Sequence, residues 1–127
     1  MTHIPKIIIK TIDPANQRFG ECGDWFYDAD DDTLTIFVSK MPDWKSELAV
    51  AIHEFVEACM CLDRDIDQTD IDYFDKNFYK NHDEGEAGDN KDAPYFDQHK
   101  SATFVEQEVC SQLKLSWEIH SKNISEA

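Results

Sequence analysis

Residues 6–12, KIIIKTI, are a short run dominated by β-branched side chains and closed by Asp13-Pro14, a pattern that predicts a strand. Two more apolar runs follow, Trp25–Tyr27 and Leu34–Val38, with the acidic stretch DADDD between them. Thr33 and Thr35 alternate with Leu34 and Ile36, as in a half-buried strand, so this segment predicts a β-hairpin. Met41-Pro42-Asp43 then ends the strand. Asp43 can cap a helix whose first turn holds Glu47. Apolar residues at 44, 48, 52, 55, 59 and 62 keep helical spacing over about five turns, which predicts a helix with that stripe inward. A second helix is expected to start at Thr69, with Asp72 as a capping-box variant and Ile71, Phe74 and Phe78 as its buried stripe. Residues 81–94, NHDEGEAGDNKDAP, predict a long loop. Asp97 is the expected cap of a third helix over 98–115, with Ala102, Val105, Val109 and Leu113 inward. The polar tail, 118–127, is expected to fray. These elements predict an α+β fold in a single domain over 1–127: an N-terminal strand and a β-hairpin followed by three helices. No internal repeat interrupts it.

Composition narrows the function classes. The chain has 127 residues, 41% of them hydrophobic and 12% aromatic, enough for one packed core. Its 27 acidic residues outnumber 12 basic ones, for a formal charge of −15. Such a surface repels nucleic-acid backbones and anionic membranes, and attracts cations or a basic partner. No apolar run approaches the roughly 18 residues that a membrane span needs. The N-terminal stretch lacks the apolar run and cleavage site of a signal peptide. Cys22, Cys59, Cys61 and Cys110 form no C-x-x-C pair, so the expectation is reduced thiols in a cytoplasmic protein.

The candidate chemistry sits in AIHEFVEAC, residues 51–59, in the middle of the first predicted helix. His53 and Glu57 are four apart and therefore project side by side, about 6 Å apart, close enough to grip one cation. Glu54 is rotated by roughly 100° from His53 and is placed to take a proton from water rather than to ligate. This is the logic of H-E-x-x-H with a carboxylate in place of the second imidazole. Carboxylate oxygen is an acceptable zinc ligand, and it makes the site harder and less zinc-selective. A third ligand must come from elsewhere. His3 lies near the terminus, His82 in the acidic loop and His120 in the tail. His99 opens the third predicted helix, and Glu106, nearly two turns on, shares its face. If the first and third helices pack together, His53, Glu57 and His99 can converge as ligands, with Glu106 as a fourth ligand or as a carboxylate that orients an imidazole. The expected cofactor is a divalent metal ion, zinc first.

A strand pair, a helix carrying H-E-x-x-E and a third ligand from a later helix resemble the minimal zincin-like metallopeptidase arrangement. HEFVEA, then GEAGDNKDAPY, then H-x-x-A-x-x-x-E resemble more closely a group of small proteins encoded in phages and prophages. The resemblance covers about residues 47–110. It implies functional weight for His53, Glu54 and Glu57 in the helix motif and for Glu86, Gly88, Asp89, Asp92, Pro94 and Tyr95 in the loop. It implies the same for His99 and Glu106 in the last helix. It names no substrate. Glu57 departs from the zincin pattern, where a second histidine stands.

Each residue also has a plainer reading. His53 can be a partly buried histidine bonded to an acid, and Glu54 and Glu57 the solvated edge of a helix. Tyr95 can donate to an oxyanion in a hydrolytic site or simply pack on the core. Glu86, Asp89 and Asp92 can bind a second cation or a basic substrate, or be solvated turn acids. Calcium loops fail: the runs starting at Asp28 and Asp63 lack the glycine and the final glutamate of an EF-hand. No P-loop, dinucleotide fingerprint or G-x-S-x-G occurs. Two function classes remain. One is a metal-dependent hydrolase of peptide or amide bonds with Glu54 as base. The other is a non-catalytic acidic protein that mimics DNA charge or inhibits a host factor and keeps a metal site for stability. The substrate or host partner is unknown in either case.

Overall fold

The computed structural model describes residues 6–127. Strand β1 (Lys6–Ile12), strand β2 (Gly23–Asp28) and strand β3 (Thr33–Ser39) form one sheet in the order β1-β3-β2. β2 and β3 are the predicted hairpin, antiparallel, with Trp25 opposite Ile36. β1 runs parallel to β3, with Ile9 opposite Ile36. Because side chains alternate along a strand, Leu34, Ile36 and Val38 share one face with Trp25. All four are buried there. Asp32, at φ 55°, takes the left-handed turn that returns the chain into β3. The fold is α+β, with strands before helices, as the sequence predicts.

Helix α1 (Trp44–Asp63) lies across β2 and β3. Asp43 caps it, accepting from the Lys45 amide at 2.9 Å. Its innermost face is not the predicted apolar stripe. Trp44 is 62% exposed and Leu48 38%, whereas Ser46, Ala49, Val50, His53, Glu54, Glu57, Ala58 and Cys61 are buried. The sheet and the third helix both pack against α1, so the buried arc is wide and includes small and polar residues.

Helix α2 (Gln68–Asn81) starts earlier than predicted. Asp67 is the cap, accepting from the Thr69 amide, and the expected partner Asp72 instead binds Arg18. Ile71 and Phe78 are buried, and Phe74 packs at the edge of the core. The predicted loop is ordered around a short 3-10 turn at Ala87–Asp89, whose Ala87 amide donates to the Tyr79 hydroxyl at 3.2 Å.

Helix α3 (Phe96–Gln112) packs along α1. Asp97 lies in its first turn and is not its cap; that position belongs to Tyr95, which makes no capping bond. The predicted inward set is corrected too. His99, Ala102, Glu106 and Cys110 are buried, while Val105, Val109 and Leu113 are only half-buried. Ala49, Ala58 and Ala102, all at 0% exposure, leave room for the polar side chains inside.

The expected fraying tail is a fourth helix, α4 (Trp117–Ser125), capped by Ser116, with His120 and Asn123 buried. Its polar composition hid it, because the residues it buries are themselves polar. Among the described residues, no helix is long and apolar enough to cross a membrane.

Candidate metal centre

His53 and Glu57 lie one turn apart on α1, and His99 opens α3. The packing of α1 on α3 brings them together. His53 Nε2 is 3.1 Å from Glu57 Oε2 and 3.2 Å from His99 Nδ1, and His99 Nδ1 is 2.9 Å from the same Glu57 oxygen. The three atoms form a nearly equilateral triangle. A tetrahedral ion with zinc–ligand distances near 2.0–2.2 Å has ligand–ligand edges of about 3.3–3.6 Å. The triangle is a few tenths of an ångström tighter than that, and its donor set of two imidazoles and one carboxylate suits zinc. Both histidines are at most 5% exposed, as is Glu57.

Outer contacts hold each donor. Trp25 Nε1, from β2, donates to Glu57 Oε1 at 3.2 Å. Glu106 sits at the far nitrogen of His53, with Oε1 2.7 Å from Nδ1. It is therefore placed to orient the imidazole, and its carboxylate is not in the triangle. Its other oxygen lies 2.5 Å from His120 Nε2. The remaining nitrogen of His120 is 2.9 Å from the Ser46 hydroxyl, to which Asn123 also donates. A buried chain of close polar contacts thus runs from Ser46 through His120 and Glu106 to His53, its last link an ion-pair contact and not an aligned hydrogen bond. His120, Ser46 and Asn123 were not singled out by spacing as part of the site. The only sequence signal was a histidine and an asparagine three apart behind the helix cap Ser116.

The charges respond to one another. Burial alone would raise the Glu57 carboxyl, but His53 and His99 override it and hold it at about 2. Burial lowers His99, yet Asp89 and Glu57 lift it to about 10. His53 is raised in the same way, burial being outweighed by Glu106 and Glu57. Glu106 is held below its ordinary value despite burial, by His120 and His53. Glu54 moves the opposite way: burial and the charge on Glu57 push it well above the usual carboxylate range.

Glu54 lines the same cavity, together with Glu21, Asp24, Asp75, Tyr95 and Glu106. It lies against Gly23, where a methyl group would come within 2.6 Å of its Oε1. The cavity has a volume of about 40 Å³. A water occupies roughly 10–15 Å³ on this measure, so the space fits an ion with a water or two. The Tyr95 hydroxyl is committed elsewhere: it donates to Asp75 Oδ1 at 2.5 Å, and its ring meets His99 edge-on at 6.2 Å between centroids. Gly88 backs onto the His99 ring, leaving no room for a side chain. Asp89 approaches His99 Nε2 at 3.1 Å, and Glu86 stands close by. Asp92 and His82 stay apart from this centre; His82 stacks on Phe78 at 4.2 Å. His3 lies outside the described residues.

No family model, curated protein or solved structure matches this chain.

Proposed function

We propose that this protein binds a divalent metal ion, zinc first, through His53, Glu57 and His99, and that the site is that of a metal-dependent hydrolase of peptide or amide bonds. One observation carries the reading: three buried donor atoms from two helices lie 2.9–3.2 Å from one another. Two imidazole nitrogens facing each other and the same oxygen are poorly served by hydrogens alone. The resemblance of H-E-x-x-E to zincin-like and phage-encoded proteins supports the same conclusion.

The chemistry such an ion supplies when bound is Lewis-acid polarisation of a carbonyl oxygen. Glu106 fixes the ring of His53, and Trp25 fixes the carboxylate of Glu57. Glu54 accepts a proton from a water in the cavity as that water's oxygen bonds to the substrate carbonyl carbon, and returns it to the amine nitrogen as the carbon–nitrogen bond breaks.

A second reading draws on the cavity volume. About 40 Å³ admits an ion and water but not a peptide. On that reading the ion is structural, in an acidic protein that inhibits a host factor or mimics DNA charge. Glu54→Gln separates the two. With zinc bound to both forms, a hydrolase loses cleavage of a fluorogenic peptide pool in the variant. If the zinc-loaded wild type cleaves none of the pool while zinc still raises its melting temperature, the structural reading holds.

A further inference from the structure

His99 has one nitrogen in the triangle and the other facing out of it. Nε2 is buried, in a side chain belonging to a residue only 4% exposed, and it has no hydrogen-bond partner. Asp89 Oδ1 comes within 3.1 Å of it, close but not aligned for a hydrogen bond. Glu86 completes the group: one oxygen from each acid and the His99 nitrogen all lie within 4.8 Å of one another. His53 Nδ1 is likewise buried without a hydrogen-bond partner, but the acid beside it, Glu106 at 2.7 Å, also meets His120, and among the described residues that nitrogen belongs to no second group of ligand atoms.

We propose that His99 serves two cation sites as a bridging imidazolate, its remaining ring proton released to solvent when the second cation binds: Nδ1 faces the inner triangle, and Nε2, with Asp89 and Glu86, forms an outer site for a second divalent cation.

Ligand chemistry sets the class. Two carboxylates and one imidazole make an oxygen-rich, harder site that suits Mn²⁺-type ions better than the inner one does. Access sets it as well. The Asp89 side chain is 64% exposed, and a groove of about 620 Å³ runs past Gly88, Asp89, His99, Lys100 and Phe104. An ion there keeps several water ligands and exchanges with solvent, whereas the inner ion is enclosed. The 3-10 turn Ala87–Asp89 presents both acids because Gly88 lies flat on the His99 ring. The outer site therefore exists only where loop and helix meet. The sharing of His99 rests on the proposed inner site; the outer ligand group does not.

The test uses the whole chain, stripped with a chelator, loaded with one equivalent of Zn²⁺ and titrated with Mn²⁺. Free Mn²⁺ is followed by electron paramagnetic resonance. The zinc-loaded protein is expected to bind one equivalent of Mn²⁺. The double variant Glu86→Gln/Asp89→Asn should keep its fold by circular dichroism, keep its zinc, and bind Mn²⁺ at least about tenfold more weakly. His53→Ala should lose zinc and keep the Mn²⁺ site. Absence of Mn²⁺ binding in the wild type, or undiminished binding in the double variant, overturns the outer site. Failure to take up zinc, with Mn²⁺ binding that still depends on Glu86 and Asp89, would overturn the inner reading alone.

Discussion

His53 Nε2 and His99 Nδ1 face each other at 3.2 Å across the seam between α1 and α3, with Glu57 Oε2 in contact with both. Residues 46 apart in sequence meet there because α1 packs along α3. Each feature of that meeting has a measurable consequence.

Gly88→Ala puts a methyl group into the His99 ring. Backbone and ring cannot both stay in place, so the expected cost is about 1–3 kcal/mol. Because His99 is the group displaced, zinc affinity should fall as well. Chemical denaturation of the metal-free protein and zinc titration measure the two effects separately. Lost stability with unchanged zinc affinity would remove His99 from the ligand set.

His120→Ala takes away the partner of Glu106 at 0% exposure and leaves a carboxylate buried beside His53. Removing one member of a buried pair costs about 3–5 kcal/mol. Loss of the orienting chain on His53 should weaken metal binding by about 10–100-fold. Urea unfolding and metal competition against a chelator check both. A neutral result would mean that α4 is not part of the site.

Much of the fold is legible from spacing, and the site only partly. The strands, the hairpin and the H-E-x-x-E turn follow from short-range periodicity, which side chains obey wherever one face is apolar. Periodicity misled at Trp44 and Leu48, and again at Val105 and Val109, because the helix–helix seam is filled by alanine and by polar side chains. It missed α4 for the same reason: what Ser116–Ser125 buries is His120 and Asn123. Polar burial of this kind has no one-dimensional signature, since the pairing of Glu106 with His120 exists only after the chain has folded.

Both oxygens of Glu21 are buried and have no hydrogen-bond partner. Burial, reinforced by Asp24 and Asp75, pushes its carboxyl from 4.5 up to about 8. The folded state thus keeps a proton that the unfolded chain releases near the ordinary value. Between those limits the folded state holds more protons, so metal-free stability falls as pH rises from about 4.5 to about 8 and levels off beyond. The loss is on the order of 5 kcal/mol. Glu21→Gln should flatten that slope and be the more stable form at pH 8. Denaturation midpoints at pH 5.5 and pH 8 decide it; parallel slopes in the two proteins would assign the pH dependence to other groups.

Trp25→Phe removes the one indole N–H that Glu57 Oε1 accepts. The expected loss is about 1.5–3 kcal/mol, as for a hydrogen bond to a charged acceptor, with a smaller loss in metal affinity than His53→Ala. Thermal melts with and without zinc measure it.

The most direct test of the central claim is the metal content of the whole chain after equilibrium dialysis against Zn²⁺, beside His53→Ala, by mass spectrometry of the metal. The account predicts a tightly held zinc ion in the wild type that survives dialysis into metal-free buffer, and none in the variant. A wild type that returns from dialysis without metal, or a variant that holds it equally well, would contradict it.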